Sequence, residues 1–261
     1  MNRIGRIVAT VAITVLSVPT YAQAAPAGRG NVEELQYSWR LKGGIRFLAG
    51  LVFPTSGIGN LKTTWGENVE SELLITAPNG KRGGFYAYES TIGDNGKTLE
   101  TYSGYAWNDK ARSERTVFDY SKGLARIHKE TTDEVENRVK KIPASNGEFR
   151  DVLTAIYFLR QNAERMNAPL QTNIYSEGKQ YPVVFKPGQR KTFAIEGRNV
   201  TARAFEISDA PGGKKWPGGV TVWLTADDRR IPVRIEIRQS MASLQLDLQK
   251  VQSATAVARL D

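Results

Sequence analysis

The side chains that most often do chemistry are scarce in this sequence. His128 is the single histidine, and cysteine is absent. A zinc site built from several histidines or thiolates is therefore excluded, and so is a cysteine–histidine nucleophile pair. His128 lies in a segment that alternates like a strand, with Ile127 on one face and Arg126 beside His128 on the other. We predict that His128 points to solvent.

Two other patterns resemble catalytic arrangements but lack the expected setting. Ser176 and Lys179 have the spacing of a serine–lysine nucleophile pair, which acts from the start of a buried helix. Here they belong to a turn-like segment, so we interpret the spacing as coincidence. Aspartate and glutamate are plentiful, yet no pair stands out as an acid and a base. We therefore expect no enzymatic activity, no catalytic residue, no metal and no cofactor.

Aromatic residues indicate binding more strongly than catalysis. Such side chains line acyl pockets or stack on sugar rings, although they also form the ordinary core of a β-barrel. In the predicted strands they are Tyr37, Trp39, Trp65, Phe85, Tyr86, Tyr88, Tyr102, Tyr105, Trp107 and Trp223. We predict that Trp39 and Trp223 line a ligand pocket, and the alternative is that all these rings are core.

The elements that would position these residues are mostly short strands. Leu35, Tyr37, Trp39 and Leu41 alternate with polar residues, which predicts a strand with one apolar face. Turn signals recur at residues 94–96, 119–123, 186–188 and 197–199. Turns at such intervals predict a mainly β fold, an antiparallel meander that forms a barrel or half-barrel.

One segment, residues 150–166, has a helical period instead. Asp151 is placed to cap its first turn, and Pro169 is expected to stop it. An amphipathic helix must bury its apolar stripe, and the large apolar surface expected here is the concave side of the sheet. We therefore expect the sheet to wrap around this helix. The stripe consists of Val152, Leu153, Ile156, Leu159, Ala163 and Met166.

The first residues of the chain predict export. Arg3 and Arg6 precede an apolar run over residues 7–18, and small residues follow around Ala24. This pattern predicts a signal peptide over residues 1–24, cleaved after about Ala24, and one β-barrel-like domain over residues 25–261. The alternative, an uncleaved anchor, would need roughly 20 apolar residues. The expected location is a bacterial periplasm, and an integral membrane protein is not expected.

The surface is predicted to be basic. The formal net charge is +9, and removal of Arg3 and Arg6 with the signal peptide takes 2 from it and leaves +7. Inside a cell this excess would suggest nucleic acid. Export excludes that partner and favours anionic lipid head groups, lipopolysaccharide or acidic glycans. The alternative is that the charge serves solubility alone.

Two stretches carry a family resemblance. Residues 151–160 resemble the helix motif of exported bacterial proteins grouped as domain of unknown function family 3108, which reads roughly D-x-L-[ST]-A-x-Y-[FY]-x-R. Residues 222–233 are similar to the family's second signature, an aromatic-led strand, an aspartate turn and a proline-led return strand. The resemblance extends over about residues 33–250, since early segments also fit the family pattern.

The two motifs supply the other candidate residues. Within the helix, Tyr157, Phe158 and Arg160 follow the family motif and are candidate ligand contacts. We expect Arg160 to pair with a strand carboxylate such as Asp227, and the alternative is that it contacts an anionic head group. The resemblance implies structural roles for Asp151 at the helix start, for Asp227 in the turn and for Pro232 on the return strand.

In architecture the family resembles periplasmic carriers of lipoproteins, in which a curved antiparallel sheet wraps a helix and holds acyl chains. Two functions stay open. The first is a carrier of a lipid or another apolar or amphiphilic envelope component, with the helix as its gate. The second is a non-catalytic scaffold with a filled core. It would dock to an envelope protein through its basic face or through residues 43–54, which are longer and more apolar than a hairpin needs.

Overall fold

A computed structural model describes residues 32–43, 55–77, 85–107, 110–142, 149–176, 179–213, 215, 219–238 and 243–253. The predicted signal peptide, and residues 44–54 of the predicted docking segment, lie outside these ranges. The helix α1 spans Val152–Asn162, and a 3-10 helix spans Asp94–Gly96. The strands are β1 (Val32–Lys42), β2 (Ser56–Trp65), β3 (Val69–Thr76), β4 (Phe85–Ile92), β5 (Thr98–Trp107), β6 (Lys110–Asp119), β7 (Leu124–Thr131), β8 (Val135–Lys141), β9 (Leu170–Ser176), β10 (Lys179–Ile195), β11 (Arg198–Asp209), β12 (Gly219–Thr225), β13 (Pro232–Arg238) and β14 (Ser243–Ser253).

All fourteen strands belong to one antiparallel sheet. Strands β1–β8 form one meander and β9–β14 a second, and the two join where β1 pairs with β14. The edge strands are β8 and β9, and they do not pair with each other, so the sheet is an open half-barrel. The expected mainly β meander, a half-barrel with one helix, is therefore confirmed.

The turns follow the predictions with one exception. A 3-10 turn joins β4 to β5, and residues 120–123 join β6 to β7. Residues 186–188 are not a turn, because β10 runs through them as one strand of 17 residues. The pairing with β11 instead shifts register between Pro187 and Arg190. Proline lacks an N–H for the ladder, and an irregularity of this kind is where a strand accommodates it.

Helix α1 buries the predicted apolar stripe. Leu153, Ile156 and Leu159 are almost fully buried, and the stripe continues into buried Ala163 and Met166 beyond the helix end. The helix ends at Asn162, whose side-chain amide donates to the Phe158 carbonyl, so Pro169 is not what stops it. No helix in the described ranges has the length and apolar character needed to cross a membrane.

The sheet has two faces, and the one that contacts α1 is called the inner face. On β1 it carries Leu35, Tyr37 and Trp39, which are buried while their neighbours Glu34, Ser38 and Arg40 are exposed. Cross-strand pairing extends this face over the whole sheet, since directly opposed residues point to the same side. Aliphatic residues of β12–β14 and β1–β3 form one buried cluster with the helix.

Candidate functional site

A groove lies on the inner face where β4, β5 and β6 pass the start of α1. Its volume is about 280 Å³. The strands contribute alternate residues, because only every second side chain points to the inner face. The helix start and β9 supply the opposite wall. The lining residues are Tyr86, Tyr88, Ser90, Thr101, Ser103, Gly104, Tyr105, Arg112, Glu114, Thr116, Asp151, Val152, Leu153 and Tyr175.

Tyrosine rings dominate the apolar surface of the groove. Tyr86 is 49% exposed and Tyr88 37% exposed, although both lie on the inner face of the sheet. Tyr86 pairs across the strands with Tyr105, and their ring centroids are 5.7 Å apart. Partial burial, and then the neighbouring Tyr105, raise the pKa of Tyr86. The tyrosines of the groove present both a flat apolar face and a hydroxyl.

The wall of the groove on β6 is charged. Arg112 and Glu114 project from alternate positions, with 3.5 Å between Arg112 Nη2 and Glu114 Oε2. Burial, followed by the nearby Glu114 carboxylate, raises the pKa of Tyr175 to about 12. Further along the same face, Glu136 of β8 contacts Lys129 of β7 at 3.9 Å. Polar and charged groups thus continue from the tyrosines to the sheet edge.

The start of α1 is fixed to the floor of the groove. Asp151 caps the helix as predicted, because its Oδ1 accepts from the Thr154 N–H at 2.8 Å. Its Oδ2 accepts from Ser90 Oγ at 2.5 Å, and its own N–H donates to Thr98 Oγ1 at 3.1 Å. Burial raises the pKa of Asp151, and the hydrogen bond from Ser90 opposes that rise. The carboxyl therefore serves as an anchor of the helix.

A small aromatic cluster connects β9 to β6 beside the groove. Tyr175 of β9 meets Phe118 of β6 edge to face, with 4.9 Å between ring centroids, and Phe149 packs against both. The segment that leads into α1 also pairs with β9, since the Arg150 carbonyl accepts from the Tyr175 N–H at 2.7 Å. The edge strand β9 therefore meets β6 through side chains, and Ala125 of β7 belongs to the same buried cluster.

The comparisons with known proteins identify the family. The family model described as "Protein of unknown function (DUF3108)" matches residues 55–249, about three quarters of the chain. This chain belongs to the DUF3108 family. No curated protein matches it.

The fold is similar to that of a solved structure of another family. It is described as a crystal structure of a beta-barrel-like protein of domain of unknown function DUF1849 from Brucella abortus. The match has a TM-score of 0.59 and 11% sequence identity, and covers 87% of this chain and 99% of the other. At this identity the likeness concerns the fold alone, and it agrees with the half-barrel described above.

The family helix motif ends at Arg160, which forms a buried ion pair. Its partner is not the predicted residue. Arg160 donates to Glu33 of β1 through two nitrogens, at 2.8 and 3.2 Å, and to the Arg229 carbonyl at 3.1 Å. The predicted partner Asp227 instead accepts from Thr225 Oγ1 and from the Arg230 N–H, which shapes the turn after β12. The expected pairing of Arg160 with a strand carboxylate is therefore confirmed, but the carboxylate is Glu33 of β1, and Asp227 as the partner is wrong.

The sequence contains a signal that Glu33 is buried and needs a charged partner. It occupies a position of the apolar alternation of β1, followed by Leu35 and Tyr37, and a charge at such a position requires a partner. The Tyr37 hydroxyl donates to the carbonyl of Pro232, the first residue of β13, at 2.7 Å. Burial raises the pKa of Tyr37. The DUF3108 motifs on α1 and β13 therefore meet through β1.

The two predicted pocket tryptophans lie on opposite faces of the sheet. Trp39 opposes Leu246 on the inner face, and its indole N–H donates to the Thr76 carbonyl at 2.8 Å. Trp223 opposes Arg234, one position away from the pair of Val222 and Ile235 that continues the inner face, so it points outward. Trp39 and Trp223 cannot line one pocket, and neither contributes to the groove.

The two aromatic residues of the helix motif also have structural surroundings. Tyr157 is buried. Phe158 lies 6.0 Å from Phe185 between ring centroids, and the Arg150 guanidinium covers its ring at 4.0 Å. The groove is lined by neither of them, nor by Arg160. Their role as ligand contacts stays a prediction.

The residues weighed for catalysis lie away from the groove. His128 is exposed on β7, as predicted, with 2.8 Å between its Nδ1 and Asn137 Oδ1. Ser176 and Lys179 are paired at the ends of β9 and β10 and not at the start of a helix. Of the groove residues, Arg112, Glu114 and Tyr175 were not singled out in the sequence. The sequence signal that could have indicated the groove is the recurrence of Tyr, Ser and Thr at every second position of β4 and β5.

Proposed function

We propose that this DUF3108 protein is an exported, non-catalytic binding protein, and that the groove beside Tyr86, Tyr88 and Tyr105 takes an amphiphile of the cell envelope. The observation that carries this proposal is the exposure of Tyr86 and Tyr88 on the inner face, whereas the residues opposite them on β3, Ile75 and Leu73, are buried core. Soluble proteins that leave aromatic rings in a concavity generally use them for a ligand.

The chemistry of the lining favours an amphiphile over a purely apolar ligand. Tyrosine rings offer flat apolar contact, and Thr101 and Ser103 offer hydroxyls on the same face. Arg112 is a donor for an anionic or strongly polar head group. A ligand with one ring-like or short apolar part and one polar part would satisfy both sets of groups.

The size of the groove limits what it holds. A volume of about 280 Å³ is near the lower end of ligand pockets, which span roughly 300–1,000 Å³. The helix and the aliphatic residues of β12–β14 and β1–β3 already fill their part of the inner face. We therefore propose that a head group or a short segment of a chain is bound, and that a long acyl chain is not enclosed.

The proposal does not include a moving helix. Buried polar contacts anchor α1 at both ends, through Asp151 and Ser90 at the start and through Arg160 and Glu33 near the end. Opening the sheet by lifting this helix would leave these groups buried or newly hydrated without their partners, at several kcal/mol. Ligand entry is proposed from the open side of the groove, past Tyr86.

Export is a separate part of the proposal and has its own test. The first 24 residues predict the signal peptide, and the mature chain would begin at Ala25. Expression of the full chain in a Gram-negative bacterium, followed by fractionation and N-terminal sequencing, should recover a protein that starts at Ala25 in the periplasmic fraction. Recovery of an uncut chain in the cytoplasm would contradict export.

Binding is tested on the mature protein purified without detergent. Organic extraction followed by mass spectrometry should release a bound amphiphile, and a fluorescent fatty acid or lysophospholipid should bind saturably. Replacing Tyr86 and Tyr105 together by alanine should weaken probe binding at least about tenfold.

A matched control is Tyr102→Ala, which removes a tyrosine from the outer face of β5. This variant should bind the probe like the natural protein. Lipid-free preparations that also fail to bind either probe would overturn the proposal, as would equal losses in the groove and control variants.

A second candidate is the envelope scaffold, favoured by the closely filled inner face around α1. A scaffold would retain a stoichiometric protein partner, whereas a binding protein for small amphiphiles needs none. Crosslinking in intact envelopes, followed by affinity capture of the tagged chain, distinguishes the two. One dominant partner whose capture is unaffected by Tyr86→Ala/Tyr105→Ala would favour the scaffold.

A further inference from the structure

The edge strand β8 carries exposed apolar side chains, whereas the edge strand β9 is partly covered. Val135 is 58% and Val139 64% exposed, the highest fractions among the large apolar side chains of the described residues. The other edge strand, β9, is partly covered by the segment before α1, where Arg150 pairs with Ile174. Strand β9 contacts β6 through Tyr175 and Phe118, and it is not hydrogen-bonded to β8. An open edge with exposed valines is a surface for strand pairing.

The backbone of β8 alternates between its partner β7 and the open edge. The Thr131 N–H donates to the Glu134 carbonyl and the Ile142 N–H to the Gly123 carbonyl, which fixes the phase of the ladder. In an antiparallel pair, hydrogen-bonded residues alternate with residues whose N–H and C=O point the other way. The even-numbered residues of β8 therefore bond to β7. Val135, Asn137 and Val139 direct their N–H and C=O groups to the open edge.

The side chains of this segment are complementary to themselves in the antiparallel direction. Acidic residues stand at its start, Glu134 and Glu136, and basic residues at its end, Arg138 and Lys140. We propose that two copies of this protein pair through β8 about a two-fold axis at Asn137. Val135 then opposes Val139 of the partner, Glu136 opposes Arg138, and Glu134 opposes Lys140.

The backbone and the side chains select the same register. Val135, Asn137 and Val139 all become hydrogen-bonded pairs, with about six main-chain hydrogen bonds across the interface. Shifting the axis to residue 136 would oppose Glu136 to its own copy, and shifting it to residue 138 would oppose Arg138 to its own copy. Like charges directly opposite each other are destabilising, so the axis at Asn137 is favoured. The interface is isologous and closes at a dimer.

This pairing would join two half-barrels into one continuous sheet. A two-fold axis perpendicular to the sheet keeps the inner faces of both copies on the same side. The charged strip formed by Lys129, Glu136 and Arg138 would then continue from one copy into the other. The pairing stands independently of ligand binding in the groove.

The test uses two charge variants of the mature protein, studied by sedimentation velocity and by light scattering. One variant carries Glu134→Lys and Glu136→Lys, and the other carries Arg138→Glu and Lys140→Glu. Each variant opposes like charges in the proposed register, so each alone should be monomeric where the natural protein dimerises. A one-to-one mixture restores every opposed pair and should dimerise again.

The mixture separates pairing from folding, because a variant that merely misfolds is not rescued by its counterpart. Val139→Pro is a second probe, since it removes an N–H that points to the open edge and leaves the ladder with β7 intact. It should abolish dimerisation with an unchanged circular dichroism spectrum. A natural protein that stays monomeric up to roughly 0.5 mM, or a mixture that stays monomeric beside a dimeric natural protein, would overturn the proposal.

Discussion

On the inner face, two rows of cross-strand neighbours start at β1 and run across the sheet in opposite directions. The two rows differ in their residue types. One row passes through Trp39, Leu246, Ile235, Val222 and Phe205, and all of these are buried. The other row begins with Leu35, Leu61 and Leu73, then changes to Tyr88, Ser103, Glu114 and Lys129. The backbone is the same antiparallel meander in both. The residue types at inner positions therefore decide where the half-barrel is a core and where it is a groove.

The two ends of α1 show the same division. Near its end, Arg160 is buried and paired with Glu33, the carboxylate of a strand in the filled region. At its start, Asp151 is held by hydroxyl and amide groups and borders the groove. An ion pair removed from water is sensitive to the loss of either member, whereas a network of neutral donors near a groove is less so. The largest predicted effect therefore concerns Arg160.

Arg160→Met should destabilise the protein by about 3–5 kcal/mol, because it leaves the Glu33 carboxylate buried without its main partner. The double variant Glu33→Gln/Arg160→Met should recover most of this loss, since no charge is then left in the core. Urea unfolding of both variants measures the difference. A loss of less than about 1 kcal/mol for the single variant would mean that Glu33 is in effect solvated or neutralised through Arg229.

The two rows are compared directly by one truncation in each. Leu246→Ala should lower the free energy of unfolding by about 2–5 kcal/mol, because Leu246 is fully buried among aliphatic neighbours. Tyr86→Ala should cost about 1 kcal/mol or less, since nearly half of that side chain is already exposed. Ligand binding should respond in the opposite order. Similar losses of stability for the two variants would contradict the division into core and groove.

The sequence predicted the secondary-structure elements well, with one error at a turn. Alternation on β1 and the period of α1 are local patterns, and both were correct, as was the capping role of Asp151. The turn predicted at residues 186–188 failed because a Pro-Gly pair is equally compatible with a register shift inside a long strand. Local rules do not distinguish these outcomes, since the choice depends on the neighbouring strand β11.

The candidate site was predicted less well, for a reason that lies in the topology. Which face a tryptophan occupies follows from pairing across several strands, and Trp39 and Trp223 proved to be on opposite faces. The partner of Arg160 comes from β1, 127 positions away in the chain. Tyr86 and Tyr105 stood among the predicted strand aromatics, but only their cross-strand pairing reveals that they share a groove.

The helix start offers a pH-dependent test of its buried carboxyl. Burial raises the pKa of Asp151 above its ordinary value of 3.8, so its contribution to stability is fully present below that pH and is lost as pH rises through the folded-state pKa. Asp151→Asn keeps an acceptor for the Thr154 N–H but does not titrate. The stability of the natural protein should therefore fall relative to the variant as pH increases from about 4 to 7.

Unfolding of the two proteins at several pH values measures this difference. The effect should be smaller than that of Arg160→Met, because the hydrogen bonds from Ser90 and Thr154 offset part of the desolvation of Asp151. A stability difference that is constant from pH 4 to 7 would contradict a raised pKa.

The smallest predicted effect is a gain in stability on the filled side. The turn between β10 and β11 consists of Glu196 and Gly197, with φ values of 47° and 76°. Positive φ at both positions is the geometry of a type I′ turn, in which Asn-Gly is strongly preferred and a glutamate is strained. Glu196 is exposed and stands at the tip of the hairpin, at the opposite end of β10 from Gln180, which pairs with the groove residue Tyr175. Glu196→Asn should therefore stabilise the protein by about 0.5–1 kcal/mol, part of the roughly 1–3 kcal/mol that a left-handed residue costs.

Probe binding in the groove should not change, because this hairpin shares no lining residue with it. If the variant alters probe affinity while unfolding at the same urea concentration, the two regions are coupled through the sheet and do not act as separate core and groove.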